Sequence, residues 1–132
     1  MTTSLANLRK IKVFSVKNQA QLADKCSVAE SYLSRLKGLI GVKELPEGEG
    51  LLLSPCRDIH MWFMNIPIDV VFLNSRVSRE GKTFFRVSSC RENLRPWALL
   101  PNGDWGATDT LELPVGTIQR CQIEAGDEIC IS

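Results

Sequence analysis

Histidine and tyrosine each occur once in this chain of 132 residues, and its five cysteines never form a Cys-x-x-Cys pair. The wide spacing of Cys26, Cys56, Cys90, Cys121 and Cys130 excludes a zinc knuckle or a local dithiol couple. Their odd number argues against a disulfide framework, so most are expected as free thiols in a reducing compartment. Cys130, between Ile129 and Ile131, is expected as a small core residue. No stretch approaches the roughly 18 apolar residues of a membrane span. The start, MTTSLANLRKIKVFSVKNQAQ, has no apolar core followed by a small-residue cleavage site. A soluble, cytoplasmic protein with no membrane partner is expected. Sixteen basic and fifteen acidic residues leave a net charge of +1, and the one basic cluster is Arg9-Lys10-Ile11-Lys12. That balance disfavours nucleic acid as a partner. There is no internal repeat and no linker, since LPEGEG and LLPNGDWGATD are short enough to be loops, so residues 1–132 are expected to form a single domain.

The remaining pattern is rich in strands. IKVFSV (11–16), GLLLSPC (50–56), PIDVVFL (67–73), KTFFRVSS (82–89), TLELP (110–114) and DEICIS (127–132) have strand character, with a Glu80-Gly81 turn between the third and fourth. One helix is predicted, from about Val28 to Lys37. Ser27 and Glu30 have capping-box spacing, Ala29, Leu33, Leu36 and Leu39 form an apolar stripe, and Gly38 or Gly41 supplies the stop. A short helical turn follows near 117–121. The expected class is mostly β, a β-rich α+β domain: a small closed or partly open β-barrel in which one main helix plugs an end or covers a face.

Several motifs then occur in order. They are Arg35-x-x-Gly38-Leu39-x-Gly41; Ile59-His60-x-x-x-Met64-x-x-Pro67-Ile68-Asp69-Val70-Val71-Phe72-Leu73; Asn93-Leu94-x-Pro96-Trp97; and Leu111-Glu112-Leu113-Pro114-x-Gly116-Thr117, followed by Gly126-Asp127. Together they resemble the domain of unknown function 192 family over about residues 12–131. The resemblance implies a small barrel-like domain with a helix and no established activity. Asn74, Ala98 and Val115 depart from the residues usual in that family, where aspartate, arginine and alanine stand.

The segment IHMWFMNIPIDVVFLN (59–74) holds the only histidine, so any imidazole chemistry must use His60. On a straight strand Cys56, Asp58, His60, Trp62 and Met64 share one face and Ile59, Met61 and Phe63 the other. Residues four apart are then separated by about 13 Å, against about 2 Å from donor to metal. No metal site and no cofactor are therefore expected, and Cys56 should not reach His60 directly. His60 is either a general base or a half-buried ring beside Trp62. Asp69 lies in an otherwise apolar strand and needs a partner, for which Arg35 on the helix is the expected choice. Glu112, between Leu111 and Leu113, is expected on a wet outer face. Trp97 and Trp105 are loop aromatics suited to recognition. The leading functional expectation is a non-catalytic barrel that binds an unknown small molecule or peptide in a cleft formed by Arg35, His60, Trp62, Asp69 and Trp97. The alternatives are a hydrolase or transferase using His60 as general base, and a structural or partner-docking module.

Overall fold

A strand with apolar residues on both faces must be covered twice, and that requirement organises this molecule. The computed structural model describes residues 5–59, 61, 64–97 and 102–132. After a 3-10 turn at Leu5–Asn7 come β1 (Lys10–Ser15), β2 (Gln21–Ala29), α1 (Tyr32–Lys37), β3 (Gly48–Leu53), β4 (Asp58–Ile59), β5 (Ile68–Arg79) and β6 (Lys82–Leu94). β7 (Asn102–Gly103), β8 (Asp109–Leu113), α2 (Thr117–Cys121) and β9 (Glu128–Ile131) complete the chain. Seven strands close into a barrel in the order β1-β2-β3-β8-β5-β6-β9, and β4 pairs with β7 outside it. Closure satisfies the strand edges, as expected for a small barrel.

Every barrel pairing is antiparallel except β2 with β3. A parallel pair cannot be joined by a tight turn, so the chain crosses over between them, and α1 and residues 38–47 are that crossover. β5 and β6 need only two residues. Arg79 pairs with Lys82 across Glu80 (φ 53°) and Gly81 (φ 78°), the two positive-φ positions of a hairpin turn whose twist suits the strands.

Alternation along the strands sorts the core into two layers. Val71, Leu73, Leu52, Leu111, Leu113, Phe85, Val87 and Ile129 fill the barrel interior, joined by Ile118, Cys121 and Ile123 from α2 and the turn after it. Val70, Phe72, Leu51 and Leu53 face outward, where Leu39, Ile40, Val42, Leu45, Met61 and Met64 cover them. α2 therefore closes the barrel, and the crossover with the segment around Met61 forms a second layer on the wall of β3, β8 and β5.

Asp69 anchors α2. The helix begins at Gly116 (φ 96°), which has no side chain to cap it. The Asp69 Oδ2 atom accepts the backbone N–H groups of Gly116 at 3.1 Å and Ile118 at 3.0 Å, while Oδ1 accepts that of Asn93 at 2.9 Å. A carboxylate from β5 thus supplies the missing cap and a favourable charge at the helix start. The expected Arg35–Asp69 pair does not form: Arg35 donates from Nη1 to the Glu30 carbonyl at 2.6 Å. Three backbone donors meet the partner requirement of Asp69 without a second buried charge.

The predicted helix is also corrected. Pairing with β3 carries β2 through Ala29, and Ser27 lies in the ladder on both sides, opposite Lys10 and Leu51, so it cannot cap. α1 starts at Tyr32 instead, capped by Ser31, whose side chain accepts from the Ser34 amide while Ser34 reciprocates. The helix ends at Gly38 (φ 50°). With the start displaced, its buried residue is Ser34, and Tyr32, Leu33 and Leu36 are 72%, 69% and 59% exposed. Leu39 alone of the expected stripe is buried beyond the helix, and Ala29 is buried on β2.

Asp69→Ala leaves three backbone donors without their acceptor and is expected to cost about 3 kcal/mol or more in urea unfolding. Arg35→Ala should cost less than about 1 kcal/mol. Equal losses from the two variants would contradict this assignment of partners.

Candidate functional site

The second layer does not close completely over the barrel wall. Between α1 with its following turn and the strands lies a cavity of about 130 Å³ lined by residues 35–40, Leu53, Cys56, Asp58, Ile59, Met64 and Glu112. α1 contributes Arg35, Leu36 and Lys37 to its lining. β8 contributes Glu112, whose ladder neighbours are Leu51 and Val70.

Glu112 does point outward from the barrel, opposite to Leu111 and Leu113, yet it is only 6% exposed because that side is covered. The expected wet outer face is therefore incorrect. Burial pushes its carboxyl up to about 8, well above the carboxylate norm. Among the described residues its Oε2 has no hydrogen-bond partner. At neutral pH the group is mainly an uncharged acid, able to donate one hydrogen bond. An unsatisfied polar atom in a packed wall is costly unless something occupies the adjoining space.

The segment after β3 is not one straight strand. The Met64 amide donates to the Met61 carbonyl at 3.2 Å, a distance that a straight strand does not allow, and both methionines are buried. Cys56 and Met64, expected about 26 Å apart along a straight strand, therefore line the same cavity. The Cys56 thiol donates to the Asp58 carbonyl at 3.1 Å. Burial pushes that thiol up, only partly opposed by hydrogen bonding with Thr110 and the Asp58 backbone, and this disfavours a nucleophilic thiolate. Among the described residues no cluster of three His, Cys, Asp or Glu side chains could hold a metal ion.

Of the five expected binding residues, Arg35 lines this cavity. Asp69 sits at the barrel end under α2, and Trp97 is held by its backbone N–H on the Met61 carbonyl at 2.8 Å. His60 and Trp62 lie outside the described residues, and with them the general-base expectation. Sequence reasoning missed Lys37, Cys56, Asp58 and Glu112 as a group. One signal was available: GLLLSPC and PIDVVFL are apolar on both faces, which announces an outer layer over that part of the sheet. The position of TLELP between them was not visible. A second, open cavity of about 240 Å³ lies beside Arg57, whose guanidinium stacks 4.6 Å from the Trp105 ring centroid. Trp105 is 86% exposed. Asp104 there is held below the usual carboxylate range by the hydroxyls of Ser88 and Ser89.

Fold and site together define a closed seven-stranded barrel with a helix at its end and, on its wall, a partly covered cleft that contains a buried acid. The chain belongs to the DUF192 family, described as Uncharacterized ACR, whose model matches residues 14–131. A UPF0127 protein from Thermococcus sibiricus is 36% identical over 107 residues, covering 77% of this chain and 62% of the relative. The chain thus spans less than two thirds of that relative's length. A crystal structure of a protein of unknown function from Novosphingobium aromaticivorans has a TM-score of 0.75 at 23% identity, covering 98% of this chain and 90% of the other. A proposed transcription regulator from Sinorhizobium meliloti has a TM-score of 0.71 at 21% identity, covering 91% and 90%. These two likenesses concern the fold. No helix among the described residues is long and apolar enough to cross a membrane.

Because Glu112 stays protonated in the folded state and ionises near 4.5 when exposed, the unfolded chain loses its proton first as pH rises. Native stability from this group is full below about pH 4.5 and falls as pH climbs toward 8, by roughly 3 kcal/mol by pH 7. Glu112→Gln should abolish that part of the pH dependence and unfold at higher urea than the parent at pH 7. An unchanged slope between pH 5 and pH 8, measured by urea titration, would contradict a buried acid.

Proposed function

We propose that this protein is a non-catalytic binding domain that receives a small group of a ligand in the cleft between α1 and β8. The observation that carries the reading is Glu112, an acid buried in the wall with an unpartnered oxygen, lining a cavity whose other side bears Arg35 and Lys37. A carboxyl strongly perturbed by burial and sited in a cleft is a candidate functional group. Apolar Leu39, Leu53, Ile59 and Met64 surround a few polar groups, the composition typical of a ligand pocket. Its volume is below the roughly 300 Å³ at which whole drug-sized ligands fit, so the cleft takes one end of a molecule.

Catalysis has less support. A raised carboxyl can serve as a general acid, but the described cleft brings it no activated nucleophile, since burial keeps the Cys56 thiol protonated.

Met64 lines the cleft and Met61 is sealed in the core, so their methyl signals form an internal pair of reporters. In a broad screen of metabolites and short peptides, at least one compound should shift the Met64 methyl resonance while leaving Met61 in place, and Glu112→Leu should suppress that shift. A screen in which nothing moves Met64 in the parent overturns the binding reading.

A further inference from the structure

The exposed apolar face of α1 adjoins the cleft. Leu36 lines the cavity, Leu33 lies three residues before it and Tyr32 four, so the three share one continuous helix surface that nothing among the described residues covers. A helix of six residues gains no stability from exposing such residues, and contiguous exposed apolar groups beside a pocket mark recognition surfaces. Of the polar side chains that line the cavity, Arg35, Lys37 and the protonated Glu112 can donate, and the exposed Asp58 is the acid there that opposes an incoming anion. Arg35 spends only part of its guanidinium on the Glu30 carbonyl, Lys37 donates to the Ile40 carbonyl at 3.1 Å, and Glu112 carries its unpartnered oxygen below them. Cations above and a buried acid beneath present donors to a single incoming acceptor.

We infer that the cleft binds the free carboxyl terminus of an apolar peptide, whose carboxylate enters between Arg35 and Glu112 while its preceding side chains lie on Tyr32, Leu33 and Leu36. This rests on the ligand-binding reading of the same cleft and names its ligand class. A peptide fits better than an acyl chain because the apolar surface is an open helix face, on which separate side chains can dock. An acyl chain requires enclosure along its length. A protonated Glu112 can donate its one O–H to one oxygen of the incoming carboxylate, and Arg35 can donate to the other. Binding must weaken as Glu112 ionises, because two carboxylates in one cleft repel.

The test is a Met64 methyl titration with an acetylated Leu-Leu-Ala tripeptide bearing a free carboxyl terminus, with its terminal amide, and with octanoate. The free acid should bind at about pH 6.5 at least about tenfold more tightly than the amide and lose about tenfold by about pH 9.5. Glu112→Gln keeps a donor and cannot ionise, so it should hold the low-pH affinity and abolish the pH dependence. That outcome assigns the dependence to Glu112 rather than to Arg35, Lys37, Cys56, Asp58 or Tyr32. The double variant Leu33→Ser with Leu36→Ser should weaken the tripeptide at unchanged Tm. Equal binding of acid and amide, affinity that rises with pH, or octanoate matching the tripeptide overturns the inference. If these probes leave Met64 still while another compound from the broad screen moves it, the ligand class is wrong and the binding cleft stands. If nothing moves it, both fall.

Discussion

One parallel strand pair in an otherwise antiparallel barrel is the constraint on which the site depends. β2 and β3 run the same way, so the chain must return over the outside of the sheet, and the return path brings α1, Leu39, Ile40, Val42 and Leu45 onto the wall. Those residues bury outward-facing side chains of β3 and β5. They also bury Glu112, which stands on β8 between them. In a simple up-and-down barrel the same glutamate would meet water. The acid, the cleft and the exposed helix face all follow from that crossover.

Asp69 and Glu112 are both buried carboxyls near β8, and their environments divide their roles. Asp69 is surrounded by backbone donors and completes the start of α2, a purely local arrangement that fixes the plug in the barrel end. Glu112 has the covering layer but no comparable set of donors, and burial alone governs its proton. A carboxylate satisfied by the fold is architecture. One that the fold leaves unsatisfied beside a cavity is the stronger basis for a site.

Much of the barrel was legible because its strands announce themselves by alternation or by short continuous apolar runs, and the Glu80-Gly81 turn and the helical turn from Thr117 fall where local chemistry places them. The start of α1 was not legible, because Ser27 and Glu30 have good capping spacing and only pairing of β2 on both sides overrides it. Asp69 could be recognised as needing a partner, but not that the partner would be the backbone of a segment nearly fifty residues away. The cleft was hidden for a similar reason. Cys56, Glu112 and Lys37 come from three distant segments, and strand order, which brings β8 between β3 and β5, leaves no mark in any one of them.

The central claim is that the crossover holds Glu112 out of water as a neutral acid beside the cleft. Its most direct test is a carboxyl-carbon NMR titration of Glu112, assigned by comparison with Glu112→Gln. A midpoint near 8 upholds the account, and one near the ordinary value of 4.5 would place Glu112 in water and contradict it.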